Sequence, residues 1–430
     1  MIVEDFPDVP PAVFLLYEEI FLKASCWSDA RKLLRSLLPE LKVQSRIYES
    51  HRFSYGYLQT PKGEFNIHLD GGLDLFGDGG GCRSLGCRIA AAERLCRSLG
   101  LMADTIWMTD YLSSAFCDFG RTTNAKLDEV IADTMVLGVL IPLINAKILK
   151  FKSSWMPTCA SCLEHFDKKV ADISNDLFKA LEDQFSLMDM TQGSYALDTG
   201  ALFEPPLIFE IHALREQLGH AATLSKFSKT VVEKSVRSAV WGGRDAAASH
   251  GSIFSNSKVG LAGLLHQEGR FNGLGEFRVM GERRNIDLPW VSDLSPEQIV
   301  ELRSEASKAL PLFRERFASK LLCESGNLNS SNPLDLIAEL RYQAEEVRNE
   351  LKIITQQGKR FWKTPFTLLN LGAVALGLAT DERLSAVSGL LSLWQFLGTH
   401  NSSHDKDVET LQCRPGYVLL KAQDLLSHSH

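Results

Sequence analysis

The chain has 430 residues and a net charge of −7 at neutral pH, with 45% hydrophobic and 23% charged residues. That length exceeds one ordinary hydrophobic core and predicts two or three domains, while the balanced composition excludes a disordered or fibrous protein. The mildly acidic charge excludes a broad basic surface, so nucleic acid would need a local patch.

The start of the sequence, MIVEDFPDVPPAVFLLYEEIF, lacks a basic segment and a small-residue cleavage site, so we expect no secretory signal. The nine cysteines are scattered and form no regular disulfide framework. We therefore expect a cytoplasmic protein with mostly free thiols.

Two amphipathic patterns open the chain and predict helices at 11–24 and 28–38. Ser28 is a suitable N-cap for the second helix, because its hydroxyl can accept a hydrogen bond from an amide of the first turn. Pro39 is expected to end that helix, since proline has no amide hydrogen to donate.

Apolar and polar residues then alternate on both sides of the turn PKG in RIYESHRFSYGYLQTPKGEFNIHLD. This period of two predicts a β-hairpin with strands at 53–60 and 64–69. A loop rich in glycine and aspartate follows. The sequence contains neither GxxxxGK[ST] nor GxGxxG, so we interpret this loop as a flexible connection and not as a phosphate-binding loop.

Helices and short buried strands alternate in the next segment. RIAAAERLCRSLG and 125–146 are predicted helices, while TIWMT and 148–152 are predicted strands. Residues 1–165 are therefore predicted to form an α/β domain.

Helical patterns dominate the remainder of the chain. They predict a mostly helical middle region at 166–292, with a short extended segment at PPLIFEIH, and a helical C-terminal domain at 293–430. Ser295, Pro296 and Gln298 have the spacing of a capping box and predict a helix from 296 to about 320. The expected fold class is α+β, mainly α.

A further helix, predicted from Pro333 to about residue 357, carries a seam of apolar residues at heptad spacing. The seam consists of Ile337, Leu340, Ala344, Val347, Leu351 and Ile354. About two and a half heptads are too few for a free-standing coiled coil, so we expect the seam to pack on a neighbouring helix.

Two apolar arms at 366–398 flank Asp381, Glu382 and Arg383. Each arm is shorter than the roughly 20 residues that a membrane-spanning helix needs, so we expect no transmembrane span. One interpretation is a helical hairpin inside the core. The other is a hairpin that contacts a membrane conditionally.

The segment KILKFKSSWMPTCASCLEHF places Cys159, Cys162 and His165 at spacings of three. Thiolates and imidazole are zinc ligands, and Cys82 with Cys87 is the nearest second pair in the sequence for a structural Zn²⁺ site. Free structural thiols, a structural zinc site and a redox pair are the three interpretations.

Two aspartates, Asp70 and Asp110, each follow a predicted strand. If both strands share a sheet, their carboxylates converge at one edge, where α/β enzymes bind ligands. Paired carboxylates can hold Mg²⁺ or Mn²⁺ for phosphodiester hydrolysis, and Asp74 and Asp78 in the loop can supplement them. Aspartate is also the common residue where a strand turns.

The stretch RDAAASH, from Arg244 to His250, resembles the R-x4-6-H motif of HEPN-type ribonucleases. The resemblance implies a helical pair from two protomers, with His250 as general acid and base and Arg244 on the RNA phosphate. A polar residue after the arginine, here Asp245, is characteristic of that family.

The sequence has no esterase, zinc-protease or kinase signature. It favours an interaction or regulatory protein, not an enzyme, that binds a protein partner or self-associates through helical faces. The alternative is a nucleic-acid hydrolase. That enzyme is metal-dependent through Asp70 and Asp110, or HEPN-like and metal-independent through Arg244 and His250.

Overall fold

The structure is a computed structural model of the chain. It describes residues 7–52, 65–70, 75–76, 82–120, 122–153, 158–190, 195–203, 206–211, 220–249, 251–267, 290–322, 333–360 and 408–428. These residues are mainly helical with two small sheets, which confirms the α+β, mainly α, class.

The contacts divide the chain into two units. The first is Met1–Ile286 with Ser295–Val300, and the second is Asp287–Leu294 with Glu301–His430. The division lies near the predicted boundary at 292/293. No division falls at the other predicted boundary, 165/166, because residues beyond it complete the first unit.

The described α-helices of the first unit, in chain order, are α1 (Pro11–Leu16), α2 (Trp27–Arg52), α3 (Leu85–Met102), α4 (Tyr111–Cys117), α5 (Asn124–Asn145), α6 (Ala160–Leu181), α7 (His220–Ala248) and α8 (Lys258–Gln267). Its described strands are β1 (Asn66–Asp70), β2 (Thr105–Asp110), β3 (Leu149–Ser153), β4 (Ser186–Asp189), β5 (Tyr195–Asp198), β6 (Ile208–Ile211) and β7 (Ser252–Ser255).

Helix α9 (Pro296–Glu305) begins in the first unit and ends in the second. The described helices of the second unit are α10 (Leu310–Leu322), α11 (Pro333–Arg360) and α12 (Gly416–His428).

A parallel sheet with the order β3-β2-β1-β7 organises the first unit. The chain builds the sheet outward from β1 to β2 and β3, then returns through α7 to place β7 on the other side of β1. The order therefore reverses between β1 and β7, which makes this position a topological switch point. A second, antiparallel sheet has the order β4-β5-β6.

The predicted hairpin differs from the observed pairing. The strand expected at 64–69 is present as β1, but it pairs in parallel with β2 on one side and with β7 on the other. The strand expected at 53–60 lies outside the described residues. All residues of β1 are buried, so the polar residues of this alternating strand do not form a solvent-exposed face.

Helix α2 runs through Pro39 to Arg52, so the prediction that Pro39 ends this helix was wrong. Its buried positions lie three or four residues apart on both sides of the proline: Leu34, Leu38, Leu41, Ser45 and Tyr48. Burial of this continuous face holds the helix together despite the hydrogen bond that proline removes. Ser28 lies inside the helix, which begins at Trp27.

The two faces of the parallel sheet pack against different helices. Ile67, Leu69, Ile106 and Met108 belong to a large apolar core shared with helices α1 to α5. Helix α7 packs on β1. A second apolar core lies among α6, α7, α8 and the antiparallel sheet.

The predicted capping box is present at the start of α9. The amide of Ser295 donates to Gln298 Oε1 at 2.9 Å, and the amide of Gln298 donates to Ser295 Oγ at 3.3 Å. The helix is shorter than predicted, because it ends at Glu305 and a new helix begins at Leu310. Pro311 explains the break, since it lacks the amide that a continuous helix would use there.

The heptad seam packs within the second unit, as expected. Leu340, Ala344 and Val347 are buried, and α11 packs on α10 and α12. The approach is close at Gly416, where a Cβ atom would lie 2.6 Å from the backbone nitrogen of Ala344. No described helix is long and apolar enough to cross a membrane. The predicted apolar arms at 366–398 lie outside the described residues.

Candidate functional site

The carboxyl ends of the four parallel strands meet at one edge of the sheet. β1 ends at Asp70, β2 at Asp110, β3 at Ser153 and β7 at Ser255. Ligands of open α/β sheets bind outside this edge, at the point where the strand order reverses. We refer to the region around Asp70, between β1 and β7, as the switch-point site.

Asp70 is a charged residue of the switch-point site, at the end of β1. Its side chain is 3% exposed, and its Oδ1 atom accepts a short hydrogen bond from the hydroxyl of Ser238 in α7. A Cβ atom on Gly260, in the first turn of α8, would lie 3.4 Å from Asp70 Oδ2 and 2.9 Å from Ala239 Cβ. Gly260 therefore allows α8 to begin directly beside the carboxylate and α7.

The turn between β7 and α8 is polar and buried. Ser255, Asn256 and Ser257 are all at most 6% exposed. Ser257 Oγ accepts a hydrogen bond from the amide of Gly260 at 3.0 Å, and Ser255 Oγ accepts one from the amide of Ser257 at 3.1 Å. The hydroxyl of Ser257 caps α8, and the positive end of the helix dipole points toward the carboxyl edge.

Asp110 reaches the same edge but lies on the opposite face of the sheet. Its carboxylate is the N-cap of α4 and accepts a hydrogen bond from the amide of Ser113 at 3.0 Å. His68 and Trp107 are register partners, so the residue level with Asp70 is Thr109. Asp110, one residue further on, therefore points away from Asp70. The structure brings the two carboxylates to one edge without bringing their side chains together.

A row of buried polar side chains on β1 leads to Asp70. Asn66, His68 and Asp70 alternate with Ile67 and Leu69 and lie on the face of the sheet that α7 covers. The row continues the alternation that the sequence shows, with polar groups that are buried under a helix instead of being solvated.

His68 bonds to Ser249, the residue that follows the last residue of α7, and Ser249 Oγ lies 2.6 Å from His68 Nε2. His68 Nδ1 has no hydrogen-bond partner among the described residues. Burial, assisted by the positive charge of Lys152, lowers the pKa of His68 to about 3. The imidazole is therefore neutral at physiological pH, which is the form that a buried site without a carboxylate partner favours.

A buried ion pair joins the same helix to β3. Lys152 Nζ lies 3.1 Å from Asp245 Oδ2, and the two side chains are 6% and 5% exposed. Each charge is compensated by the other, and loss of either partner would leave a buried charge.

The sequence did not identify Ser238 and Ser249 as partners of β1. Together with Asp245 they occupy positions separated by seven and four residues, which is one face of a helix. That spacing of polar residues is the signal that points to a polar helix face, although it does not show which strand the face covers.

The HEPN-like residues lie near the end of α7. Arg244 is 4.0 Å from the ring centroid of Trp241, and Asp245 is used in the ion pair with Lys152. His250 lies outside the described residues. The family resemblance therefore stays a prediction.

The cysteines of the zinc hypothesis lie at two places. Cys82 and Cys87 are exposed near the start of α3, while Cys159 and Cys162 are exposed at the start of α6, together with His165. Across the described part of the chain, no three His, Cys, Asp or Glu side chains are grouped closely enough to hold a metal ion. The structure thus does not bring the five predicted ligands together.

The loop aspartates at 74 and 78, predicted to supplement the site, lie outside the described residues. Comparison of the chain with models of known protein families, with curated proteins and with solved structures finds no match.

Proposed function

We propose that the first unit binds a phosphorylated ligand, together with a divalent cation, at the switch-point site and hydrolyses its phosphate ester. The observation that carries this proposal is the buried carboxylate of Asp70 at the switch point, held by Ser238 and adjacent to the first turn of α8.

The chemistry of the site suits this ligand class. Mg²⁺ in proteins is often held by one or two carboxylates and by the phosphate oxygens of the substrate, so a single aspartate is a sufficient protein anchor. The cation would supply an activated water and stabilise the leaving oxygen. The first turn of α8 adds a favourable potential for the negative charge of a phosphate.

The proposal modifies the paired-carboxylate hypothesis. Asp70 keeps the role of cation ligand, whereas Asp110 is the cap of α4 on the other face of the sheet. The buried residues of the heptad seam pack on other helices of the same unit, as expected from the sequence. An enzymatic or ligand-binding role for the α/β unit is therefore the better supported function.

The test compares two conservative variants of the full chain. Hydrolysis of bis(p-nitrophenyl) phosphate and p-nitrophenyl phosphate is measured with Mg²⁺, with Mn²⁺ and with a chelator. Asp70→Asn should lower the metal-dependent rate by more than about 10-fold, since loss of an outer-shell partner of a metal ion alone costs about 10–100-fold. Asp110→Asn is the matched control, because asparagine also caps a helix.

The alternatives give different results. Activity that survives chelation and is lost in His250→Ala would support the HEPN-like enzyme. Equal losses in Asp70→Asn and Asp110→Asn would support a paired-carboxylate site. If wild type hydrolyses neither ester, and calorimetry detects no binding of ATP with Mg²⁺, the proposal is overturned and the interaction role remains.

A further inference from the structure

A second group of side chains with reactive chemistry is the pair Cys159 and Cys162 at the start of α6. Cys159 is the N-cap of this helix, with extended backbone angles of φ −68° and ψ 154°, and Cys162 lies in its first turn. Both side chains are exposed. A C-x-x-C sequence at the start of a helix that follows a strand is the arrangement of dithiol redox sites.

The local contacts make the two thiols unequal. Cys159 Sγ lies 3.3 Å from Ser161 Oγ. Hydrogen bonds from Ser161 and from Cys162 lower the pKa of Cys159 to about 7, while the interaction with Cys159 raises the pKa of Cys162. Near neutral pH, Cys159 is the thiol that is present in part as the nucleophilic thiolate.

Helix α7 supports this end of α6. Phe166 of α6 packs edge-on against Trp241 of α7, with ring centroids 4.9 Å apart, and the guanidinium of Arg244 lies over the Trp241 ring, 4.0 Å from its centroid. The positive charge of Arg244 also favours the thiolate of Cys162. An exposed leucine, Leu163, lies next to the pair in sequence and gives it an apolar border.

We propose that Cys159 and Cys162 form a dithiol redox site that exchanges with disulfide substrates. The thiolate of Cys159 attacks one sulfur of a disulfide R–S–S–R′, forms a mixed disulfide with R–S and releases R′–S⁻. Cys162 then gives its proton to solvent and attacks Cys159 Sγ, which releases R–S⁻ and leaves a Cys159–Cys162 disulfide. The chain loses two electrons as its thiols are oxidised, and the substrate disulfide gains them.

The site is separate from the switch-point site and does not depend on the proposed hydrolysis. Its natural disulfide substrate is small or exposed, since the approach to Cys159 is from solvent. Glutathione disulfide is the probe of this chemistry, and its mixed disulfide with a cysteine is identified directly by mass.

The experiment uses the reduced full chain after removal of reductant. The chain is treated with glutathione disulfide, the remaining thiols are alkylated, and the products are mapped by peptide mass spectrometry. Wild type should lose the free thiols of Cys159 and Cys162 together and gain the disulfide between them. Cys162→Ser should stop at glutathione bound to Cys159, because the resolving thiol is missing.

An exposed cysteine pair elsewhere provides the matched control. Cys82→Ser/Cys87→Ser should leave the reaction at Cys159 unchanged, and circular dichroism verifies that each variant is folded. Glutathione spread equally over Cys82, Cys87 and Cys159, or no disulfide between Cys159 and Cys162, would overturn the proposal. Purified wild type with about one zinc per chain, lost in Cys159→Ser/Cys162→Ser, would also overturn it.

Discussion

The neutral, buried His68 makes the first unit sensitive to acid. In the folded chain burial lowers the pKa of His68 to about 3, whereas an unfolded histidine has a pKa of about 6.5. The unfolded state therefore binds the proton first, and the contribution of His68 to stability is complete above about pH 6.5 and is lost as pH falls toward 3.

The size of the effect follows from this pKa difference. At about pH 5 the unfolded state gains roughly 2 kcal/mol from protonation of this one side chain, because each pH unit below 6.5 contributes about 1.4 kcal/mol. Wild type should therefore lose roughly 2 kcal/mol more than His68→Gln between pH 7.5 and pH 5. Glutamine is neutral at both pH values and can still bond to the hydroxyl of Ser249.

Urea unfolding of the two proteins at both pH values, followed by circular dichroism, measures this difference. His165→Gln, at an exposed histidine of α6, controls for the loss of an imidazole as such. Equal acid sensitivity in wild type and His68→Gln would refute the reasoning, because it would mean that the folded state accommodates the charged imidazole.

Two further tests probe the packing of the first unit. Lys152→Met should lower the free energy of unfolding by about 3–5 kcal/mol, because it leaves the buried carboxylate of Asp245 without its partner. The double variant Lys152→Met/Asp245→Leu should lower it by less than Lys152→Met alone. Additive losses in a double-mutant cycle measured by urea unfolding would contradict this. Gly138→Ala should cost about 1–3 kcal/mol, because its methyl group would overlap the ring of Phe21, while Gly86→Ala, with open space around the new atom, should gain up to about 1 kcal/mol; thermal unfolding checks both signs.

The sequence predicted the local elements of the sheet better than their assembly. TIWMT and ILKFK were recognised as strands, because short apolar runs between helical patterns have few other interpretations. The pairing of β1 with β7 was not predicted, since SIFS is short and weakly apolar and its partner lies far away in the sequence. The alternation of polar and apolar residues in β1 is also the pattern of a strand with one exposed face, and this pattern favoured a hairpin.

The residues of the candidate site could be predicted from the sequence only in part. Asp70 was selected because it ends a strand, and its position at the carboxyl edge follows from that fact alone. Its separation from Asp110 depends on the register of β1 against β2, which one sequence does not encode locally. The roles of Ser238 and Gly260 depend on helices that approach β1 only in the folded chain.

The buried polar residues of β1 lie on the face of the parallel sheet that helix α7 covers. Burying a polar group costs free energy unless its hydrogen bonds are satisfied, and an apolar face would give comparable stability. A polar face adds positional specificity, because a shift of α7 by one turn would separate Ser249 from His68 and Asp245 from Lys152. We therefore expect the polar contacts to fix the axial position of α7.

That position determines the geometry of both proposed sites. The same helix places Ser238 on the carboxylate of Asp70, and it places Trp241 and Arg244 beside the start of α6. A variant that breaks the ion pair without unfolding the chain should therefore disturb both phosphate-ester hydrolysis at Asp70 and disulfide exchange at Cys159. A change at Ser238 should disturb only the first reaction, because its contact ends at the sheet.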